Sequence, residues 1–243
     1  MINEGKVNVL EYFYSIDGET RRSGELVWFI RLAGCNLACS YCDTNYCHYD
    51  KGTSIDPTTL VKIIMETNSC RKVTLTGGEP LTHPNVKDLI YELLINGFDV
   101  NIETNGSVNP YKVLDKDTFG KYRRFGQLWF SMDYKSKFSN MQEFMLSARS
   151  MAYILGSNDC LKFVVANDQD LCDAYHRIKL CERYYRERKV PEFKRCTYYL
   201  SPCFGEIELP KIIDFMKDKE LIKRVKFQVQ VHKIVWDPNK RGV

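Results

Sequence analysis

The sequence predicts an α/β fold: a partial, incomplete parallel β/α barrel of about six strands with an N-terminal strand extension. Three observations carry this. Runs rich in β-branched and aromatic residues alternate with amphipathic stretches over much of the chain, the pattern of a parallel sheet with right-handed crossovers. Three runs bearing cysteine or glycine follow predicted strands directly, where parallel-sheet proteins build their sites. Six or seven core strands are too few for a closed eightfold barrel.

Val7 to Tyr14 mixes β-branched and aromatic residues and reads as the first strand. Leu26 to Arg31 (Leu-Val-Trp-Phe-Ile-Arg) is a second, buried strand, and a cysteine-rich loop follows it. Asp56-Pro57 is an N-cap with proline at the first helical position, opening a helix to about Glu66. Lys72 to Thr76 is a strand ending in Gly77-Gly78-Glu79-Pro80. Val86, Leu89, Ile90, Leu93 and Leu94 recur at helical spacing, and Gly97 supplies the stop. Phe98 to Glu103 is a strand closed by the turn Thr104-Asn105-Gly106. Further strands are expected at Leu128 to Met132, Leu161 to Val165, Thr197 to Leu200 and Val225 to Val231. Helical stretches are expected at Met141 to Leu155, Leu171 to Glu187 and Pro210 to Lys217. Helix signals are poor over 104–127, so one crossover is expected to lack a regular helix. No internal repeat, low-complexity segment or long linker divides the chain, which reads as one domain over 1–243.

The chain has 243 residues, 44% of them apolar, enough for a sizeable core. Its 35 basic and 31 acidic residues leave a net charge of +4, too little for the basic stripe of a dedicated nucleic-acid binder. The opening Met-Ile-Asn-Glu-Gly-Lys-Val-Asn has no apolar signal core, and no apolar run is long enough to span a bilayer. A cytoplasmic protein without nucleic-acid or membrane partners is expected. In that setting the ten cysteines are thiols or ligands rather than disulfides.

Cys35, Cys39 and Cys42 stand in Arg-Leu-Ala-Gly-Cys-Asn-Leu-Ala-Cys-Ser-Tyr-Cys-Asp-Thr, a C-x3-C-x2-C spacing. Three thiolates on one loop can hold three irons of a 4Fe–4S cluster and leave the fourth open to a small molecule. A zinc site would need a fourth ligand, for which Cys47 and His48 are the nearby candidates, but such sites usually combine two separated pairs. Gly77-Gly78 at a strand end permits close backbone approach to a ligand and, taken alone, equally suits a turn. Gln230 and His232 alternate with apolar residues on the last predicted strand and should share a face. Cys160, Cys172, Cys181, Cys196 and Cys203 are irregularly spaced and read as core or incidental thiols rather than a second cluster.

The three-cysteine loop followed by Gly-Gly-Glu-Pro resembles the radical S-adenosylmethionine (SAM) superfamily. Within it, Tyr14 to Glu19, Phe29 to Leu37, Cys39 to Thr44, Gln230-Val231-His232-Lys233 and Asn239 to Val243 resemble the 7-carboxy-7-deazaguanine synthase family. The resemblance spans nearly the whole chain and is weakest between about 167 and 222. It implies a lyase that converts 6-carboxy-5,6,7,8-tetrahydropterin to 7-carboxy-7-deazaguanine with loss of ammonia, on the route to queuosine. It implies a 4Fe–4S cluster, SAM and Mg2+ as cofactors, a flavodoxin or ferredoxin as electron donor, and a homodimer.

Residue by residue, the resemblance makes Cys35, Cys39 and Cys42 the cluster-binding, catalytic set. Tyr41, Cys42, Asp43, Gly78, Ser131, Asp133 and Lys135 correspond to SAM contacts, and Thr44 to a magnesium ligand. Ile16, Asp17 and Gly18, with Glu19 beside them, occupy the substrate segment within residues 1–25. Arg31, whose planar fork suits a carboxylate, and Thr76 complete the pterin contacts. The barrel then covers 26–232, and the tail, 233–243, brings the Val243 carboxylate to the substrate. Two departures stand out. Asp17 replaces a common Gln, exchanging an amide that donates and accepts for a carboxylate that only accepts. The 135–140 run lacks the family's usual proline. Two other readings stay open on sequence grounds: another small radical SAM enzyme, such as a glycyl-radical activase, or a non-catalytic iron–sulfur or zinc module.

Overall fold

The computed structural model describes residues 5–221, 223–238 and 240–243. Its strands are β1 (Val7–Ile16), β2 (Leu26–Leu32), β3 (Thr53–Ile55), β4 (Lys72–Gly77), β5 (Asp99–Thr104), β6 (Leu128–Tyr134), β7 (Cys160–Val165), β8 (Thr197–Pro202) and β9 (Val225–Phe227). They form one nine-stranded sheet in the order β3-β1-β2-β4-β5-β6-β7-β8-β9. β1 is antiparallel to β2 and β3, whereas every pair from β2–β4 to β8–β9 is parallel. The sheet is therefore an open parallel barrel with β1 and β3 as its N-terminal extension.

Strand side chains alternate between two faces. Ile30, Leu75, Ile102, Phe130, Met132, Leu161, Phe163 and Leu200 point one way and are buried in the main core. That core is completed by helices α1 (Pro57–Thr67), α2 (Val86–Ile95), α3 (Lys116–Arg124), α4 (Ala148–Ile154), α5 (Asp168–Glu187) and α6 (Leu209–Asp218). On α2 the predicted stripe, Val86, Leu89, Ile90, Leu93 and Leu94, is buried throughout. Each such side chain contributes about 1.5–3 kcal/mol relative to exposure. α1 begins as its sequence implies: Pro57 is the first residue and the Asp56 carboxylate accepts from Thr59 N–H at 3.0 Å.

The opposite face is polar. Thr74 and Thr76 on β4, Asn101 and Glu103 on β5, Ser131 and Asp133 on β6, and Lys162 on β7 all occupy the alternate positions. This face is not left to solvent. The β1–β2 connection folds back onto it as a plug. Asp17 accepts from Thr74 Oγ1 at 2.7 Å, Thr20 Oγ1 lies 3.1 Å from Ser131 Oγ, and Glu19 pairs with Lys162. At the base Arg22 donates to the Val73 and Asp99 carbonyls, at 2.9 Å each, and its guanidinium lies over the Trp129 ring, 4.2 Å from the centroid. A cation so placed satisfies the carbonyls at the start of two strands and closes the barrel floor.

Three sequence expectations are corrected. The 104–127 crossover does contain a helix, α3. Its only buried side chains are Phe119 and Tyr122, one turn apart, so its periodicity is too sparse to read; the Asp115 cap, accepting from Thr118 N–H at 2.7 Å, starts it. The Met141–Leu155 helix begins only at Ala148, because Asn140 takes a left-handed conformation (φ 61°) and Ser147 caps the helix start. The last strand stops at Phe227. The chain leaves the sheet to bond the plug, with Thr20 N–H donating to Gln228 Oε1 at 2.7 Å and Val231 N–H to the Gly18 carbonyl at 3.1 Å. Gln230 and His232 thus do not share a strand face; His232 opens the short helix α7 (His232–Val235). No described helix is long and apolar enough to cross a membrane.

Candidate active site

A cavity of about 740 Å³ opens at the carboxyl ends of the parallel strands, above the plug. Cys35, Cys39 and Cys42 line it from the loop after β2, and Gly77 and Gly78 from the end of β4. The two loops are packed backbone to backbone. Glu79 N–H donates to the Gly34 carbonyl at 2.9 Å, and Gly78 N–H to the Leu32 carbonyl at 3.1 Å. A side chain at Gly78 would collide with the Gly34 carbonyl oxygen and with Cys35 Cβ, so only glycine brings this backbone so near the cysteine loop.

The cysteine sulfurs are not equivalent. Cys35 is held down to about 6, first by the neighbouring Cys47 thiol, with Leu37 N–H at 3.4 Å and Asn105 Nδ2 at 3.8 Å adding to the effect. Burial pushes the Cys39 and Cys42 thiols up. The donor set around Cys35 suits a sulfur that carries negative charge, as a metal-bound thiolate does. Tyr41 stacks on Phe138 with centroids 6.3 Å apart, and its hydroxyl is buried with no hydrogen-bond partner among the described residues. A buried orphan hydroxyl beside three sulfurs, with glycine backbone opposite, fits a site made for a cluster and a polar ligand.

Glu79 braces this wall. It accepts from Asn105 N–H at 2.5 Å, Leu81 N–H at 3.0 Å and Thr104 Oγ1 at 2.9 Å. Burial nevertheless outweighs these donors and lifts its carboxyl from 4.5 to about 7. A folded-state pKa above the unfolded value means that this stabilising contribution is complete below pH 4.5 and is lost as pH rises toward 7. The full shift corresponds to about 3 kcal/mol. Glu103 has the same direction and value, also through burial. Between pH 4.5 and 7 the slope of unfolding midpoint against pH should therefore be raised in Glu79→Gln relative to the parent, since this carboxyl's own contribution falls with rising pH. An unaltered slope would show that Glu79 does not titrate in this range.

The opposite wall carries a run of paired charges. Lys162 Nζ pairs with Glu19 and, at 3.1 Å, with Asp133; Asp133 also pairs with Lys135 at 2.7 Å. Burial opposes ionisation of Asp133, but Lys135 and Lys162 hold it below the usual carboxylate range. Glu103 faces the same space, where Lys162 partly counters the effect of burial. Gln230 Nε2 donates to Glu19 Oε1 at 2.6 Å, tying the carboxyl-terminal segment to the plug. His232 packs on Gly18 so closely that a Cβ there would strike its Nδ1.

At the rim, Arg31 Nε donates to Glu11 Oε1 at 2.7 Å, which leaves its terminal nitrogens without a partner among the described residues. Thr44 Oγ1 donates to Asp43 Oδ1 at 3.1 Å. Burial opposes ionisation of Asp43, yet Lys233 at 3.0 Å holds the carboxyl down to about 2. Val243 lines the cavity, whereas Asn239 of the terminal run lies outside the described residues.

The structure therefore brings Ile16, Asp17, Gly18, Arg31, Cys35, Cys39, Tyr41, Cys42, Asp43, Thr44, Thr76, Gly78, Asp133, Lys135 and Val243 to one cavity. Ser131 is the exception. It sits below the site, donating to Asn101 Oδ1 at 2.9 Å beneath Thr20, because the plug covers that level of the barrel. Sequence reasoning missed Glu103 and Lys162 as individual site residues. The signal for Lys162 was present, since it is the one charged residue in the apolar strand Cys-Leu-Lys-Phe-Val-Val. Of the additional cysteines, Cys160, Cys181, Cys196 and Cys203 are buried and Cys172 is exposed. Cys203 reaches the cavity wall.

With this geometry established, known proteins place it in context. The Radical SAM superfamily model matches residues 29–139. The 7-carboxy-7-deazaguanine synthase of Clostridium acetobutylicum is 40% identical over 97% of this chain and 98% of its own length. The protein of that name from Methanospirillum hungatei JF-1 is 32% identical, covering 96% of this chain and 86% of the relative. Among solved structures, QueE from Escherichia coli superposes with a TM-score of 0.62 at 20% identity, over 93% of this chain and 95% of that one. Streptococcus suis SuiB bound to S-adenosylmethionine gives 0.52 at 13% identity, over 80% of this chain and 48% of SuiB. At these identities the two structures speak for the fold.

Proposed function

The chain belongs to the 7-carboxy-7-deazaguanine synthase family of the radical SAM superfamily, and from that premise we propose how its cavity performs the family's reaction. The enzyme is a radical SAM lyase that converts 6-carboxy-5,6,7,8-tetrahydropterin to 7-carboxy-7-deazaguanine with loss of ammonia, in the route to queuosine. When bound, the 4Fe–4S cluster and SAM supply the hydrogen-abstracting radical chemistry.

Cys35, Cys39 and Cys42 would hold the cluster. Gly78, Tyr41, Asp43, Asp133 and Lys135 would hold SAM, and Thr44 would offer a hydroxyl oxygen to Mg2+, a donor suited to a hard cation. The pterin presents a guanidine-like edge rich in N–H donors and, at the other end, a carboxylate. Glu19 and Glu103 offer acceptors to the first, alongside Asp17, Gly18 and Thr76. Arg31, with its terminal nitrogens open, suits the second. Asp17 already accepts from Thr74 Oγ1 and from Glu19 N–H, at 2.7 and 3.2 Å. Its side chain is thereby committed to shaping the plug, so Asp17, like Ile16 and Gly18, would meet the substrate through backbone. The plug and the carboxyl-terminal segment shield the interior from water, which matters for a radical that any stray donor would quench.

The observation that carries this reading is the meeting of two walls at one cavity, three cysteines with Gly78 on one and Glu19 with Glu103 on the other, with Arg31 at the rim. Anaerobic reconstitution, followed by incubation with the carboxy-tetrahydropterin, SAM and a reductant, tests it. Formation of the deazapurine is expected, and its absence would reject the assignment. Val243 would present its carboxylate to the substrate, so residues appended after it should cut turnover sharply; a tagged enzyme of undiminished rate would sink that role. A flavodoxin or ferredoxin would deliver the electron on the cluster side. The chain would work as one domain in a cytoplasmic homodimer.

A further inference from the structure

The carboxyl-terminal segment is anchored at its start by Gln230 on Glu19 and Lys233 on Asp43. A second anchor lies near its end. Lys240 N–H donates to the Asp237 carbonyl at 2.9 Å, and after this turn the Arg241 guanidinium lies over the Tyr46 ring, 3.6 Å from its centroid. Gly242 then takes φ +69°, a left-handed conformation that favours glycine, and Val243 lines the cavity. Tyr46 is engaged at its other end too. Its hydroxyl donates to Glu11 Oε1 at 2.9 Å, the same oxygen that accepts from Arg31 Nε at 2.7 Å. One ring thus stands between the tail and Arg31.

We propose that Arg241 is a positioning residue whose stack on Tyr46 latches the tail across the cavity and, through the Tyr46–Glu11–Arg31 chain, fixes the aim of Arg31. The inference rests on the reading in which Arg31 and Val243 meet the pterin. Its physical basis is the pairing itself. A guanidinium is planar and weakly hydrated, so it covers an aromatic face at small desolvation cost. Arg241 is exposed, so the contact is reversible and suits a tail that must admit substrate and release product. The Tyr46 hydroxyl and Arg31 Nε share one carboxylate oxygen, so a ring that swings out removes one of the two donors that fix the Glu11 rotamer. Arg31 is then held by a carboxylate free to turn. Tail closure and the orientation of Arg31 are in this way one event.

The test uses the cluster-reconstituted enzyme. Amide hydrogen exchange of the peptide that ends in Val243 is measured by mass spectrometry, beside KM and kcat for the carboxy-tetrahydropterin. Arg241→Ala should speed tail exchange and raise KM, each about fivefold, with kcat changed less than about twofold. Arg241→Lys keeps a cation above the ring and should restore at least half of both effects. In a Tyr46→Leu background, Arg241→Ala should change neither quantity further, since the stack is already gone. Additive effects of the two substitutions, or unchanged tail exchange in Arg241→Ala, would overturn the latch. Exchange is read without reference to any reaction. A wild-type enzyme that makes no deazapurine would therefore defeat the functional reading, whereas unchanged exchange defeats the latch.

Discussion

Cys39→Ala should yield a folded protein that fails to take up a stable cluster and forms 5′-deoxyadenosine at least about a thousandfold more slowly than the parent. The same holds for Cys35→Ala and Cys42→Ala. With the three proposed ligands on one loop, losing any one leaves two, and the loop is held by hydrogen bonds of its own. Cys42 N–H donates to the Cys39 carbonyl at 3.2 Å, Ser40 N–H to the Ser139 carbonyl at 3.1 Å, and Gly34 N–H to the Cys47 carbonyl at 2.9 Å. The far-ultraviolet dichroism of the variants should therefore match the parent while the brown colour is lost. Cys47→Ala is the informative contrast. Cys47 is buried beside Cys35 and is not one of the three proposed ligands. That variant should keep its colour. Iron and sulfide analysis decides the matter. A colourless Cys47→Ala protein, or a brown Cys39→Ala one, would contradict the ligand assignment.

Where the sequence was legible, local and global signals coincided. Asp56-Pro57, the α2 stripe and the alternating strands each specify an element and each pack as their pattern requires. The strand-end position of the cysteine loop and of Gly77-Gly78 follows from the same alternation, so the place of the cavity is legible in the sequence. What stayed hidden was decided by long-range contacts. The plug has no periodicity of its own. Thr20 and Arg22 are ordered by Ser131, Val73, Asp99 and Trp129, which are remote in sequence. The same plug displaces Ser131 from the site and draws Gln228 to Val231 out of the sheet. Val225 to Val231 alternates like a strand, but bonds from Thr20 and to Gly18 outcompete the sheet edge. The inward face of the barrel is likewise invisible to composition. Lys162 stands out as the one charge in an apolar strand, but only the register sets it and Glu103 on one polar face around one cavity.

Lys162→Met carries the largest expected cost outside the cysteines, because it removes the ammonium around which the inner wall is arranged. Lys162 is paired with Glu19 and Asp133, and all three are largely buried. Breaking a buried pair by deleting one partner leaves the other charge desolvated and typically costs about 3–5 kcal/mol. For a chain of this size that is a fall of roughly 10 °C in melting temperature. The losses should be unequal. Asp133 keeps Lys135 at 2.7 Å, while among the described residues Glu19 keeps only the Gln230 amide. Adding Glu19→Gln to Lys162→Met should therefore recover part of the stability, whereas adding Asp133→Asn should not. The pH dependence gives a second signature. Burial lifts Glu103 to about 7, and Lys162 is the leading influence against a further rise. Without Lys162 the Glu103 carboxyl should stay protonated to higher pH. Its folded-state pKa then lies further above the unfolded 4.5, so the decline of this group's contribution with rising pH should extend beyond 7. If Glu103 acts as an acceptor for the pterin edge, substrate binding by the variant should recover toward alkaline pH, where the carboxylate re-forms. Melting curves and substrate affinity across pH 5–9 read both effects. A Lys162→Met protein that melts with the parent, or whose affinity has the parent's pH profile, would show that the inner wall does not depend on this ammonium.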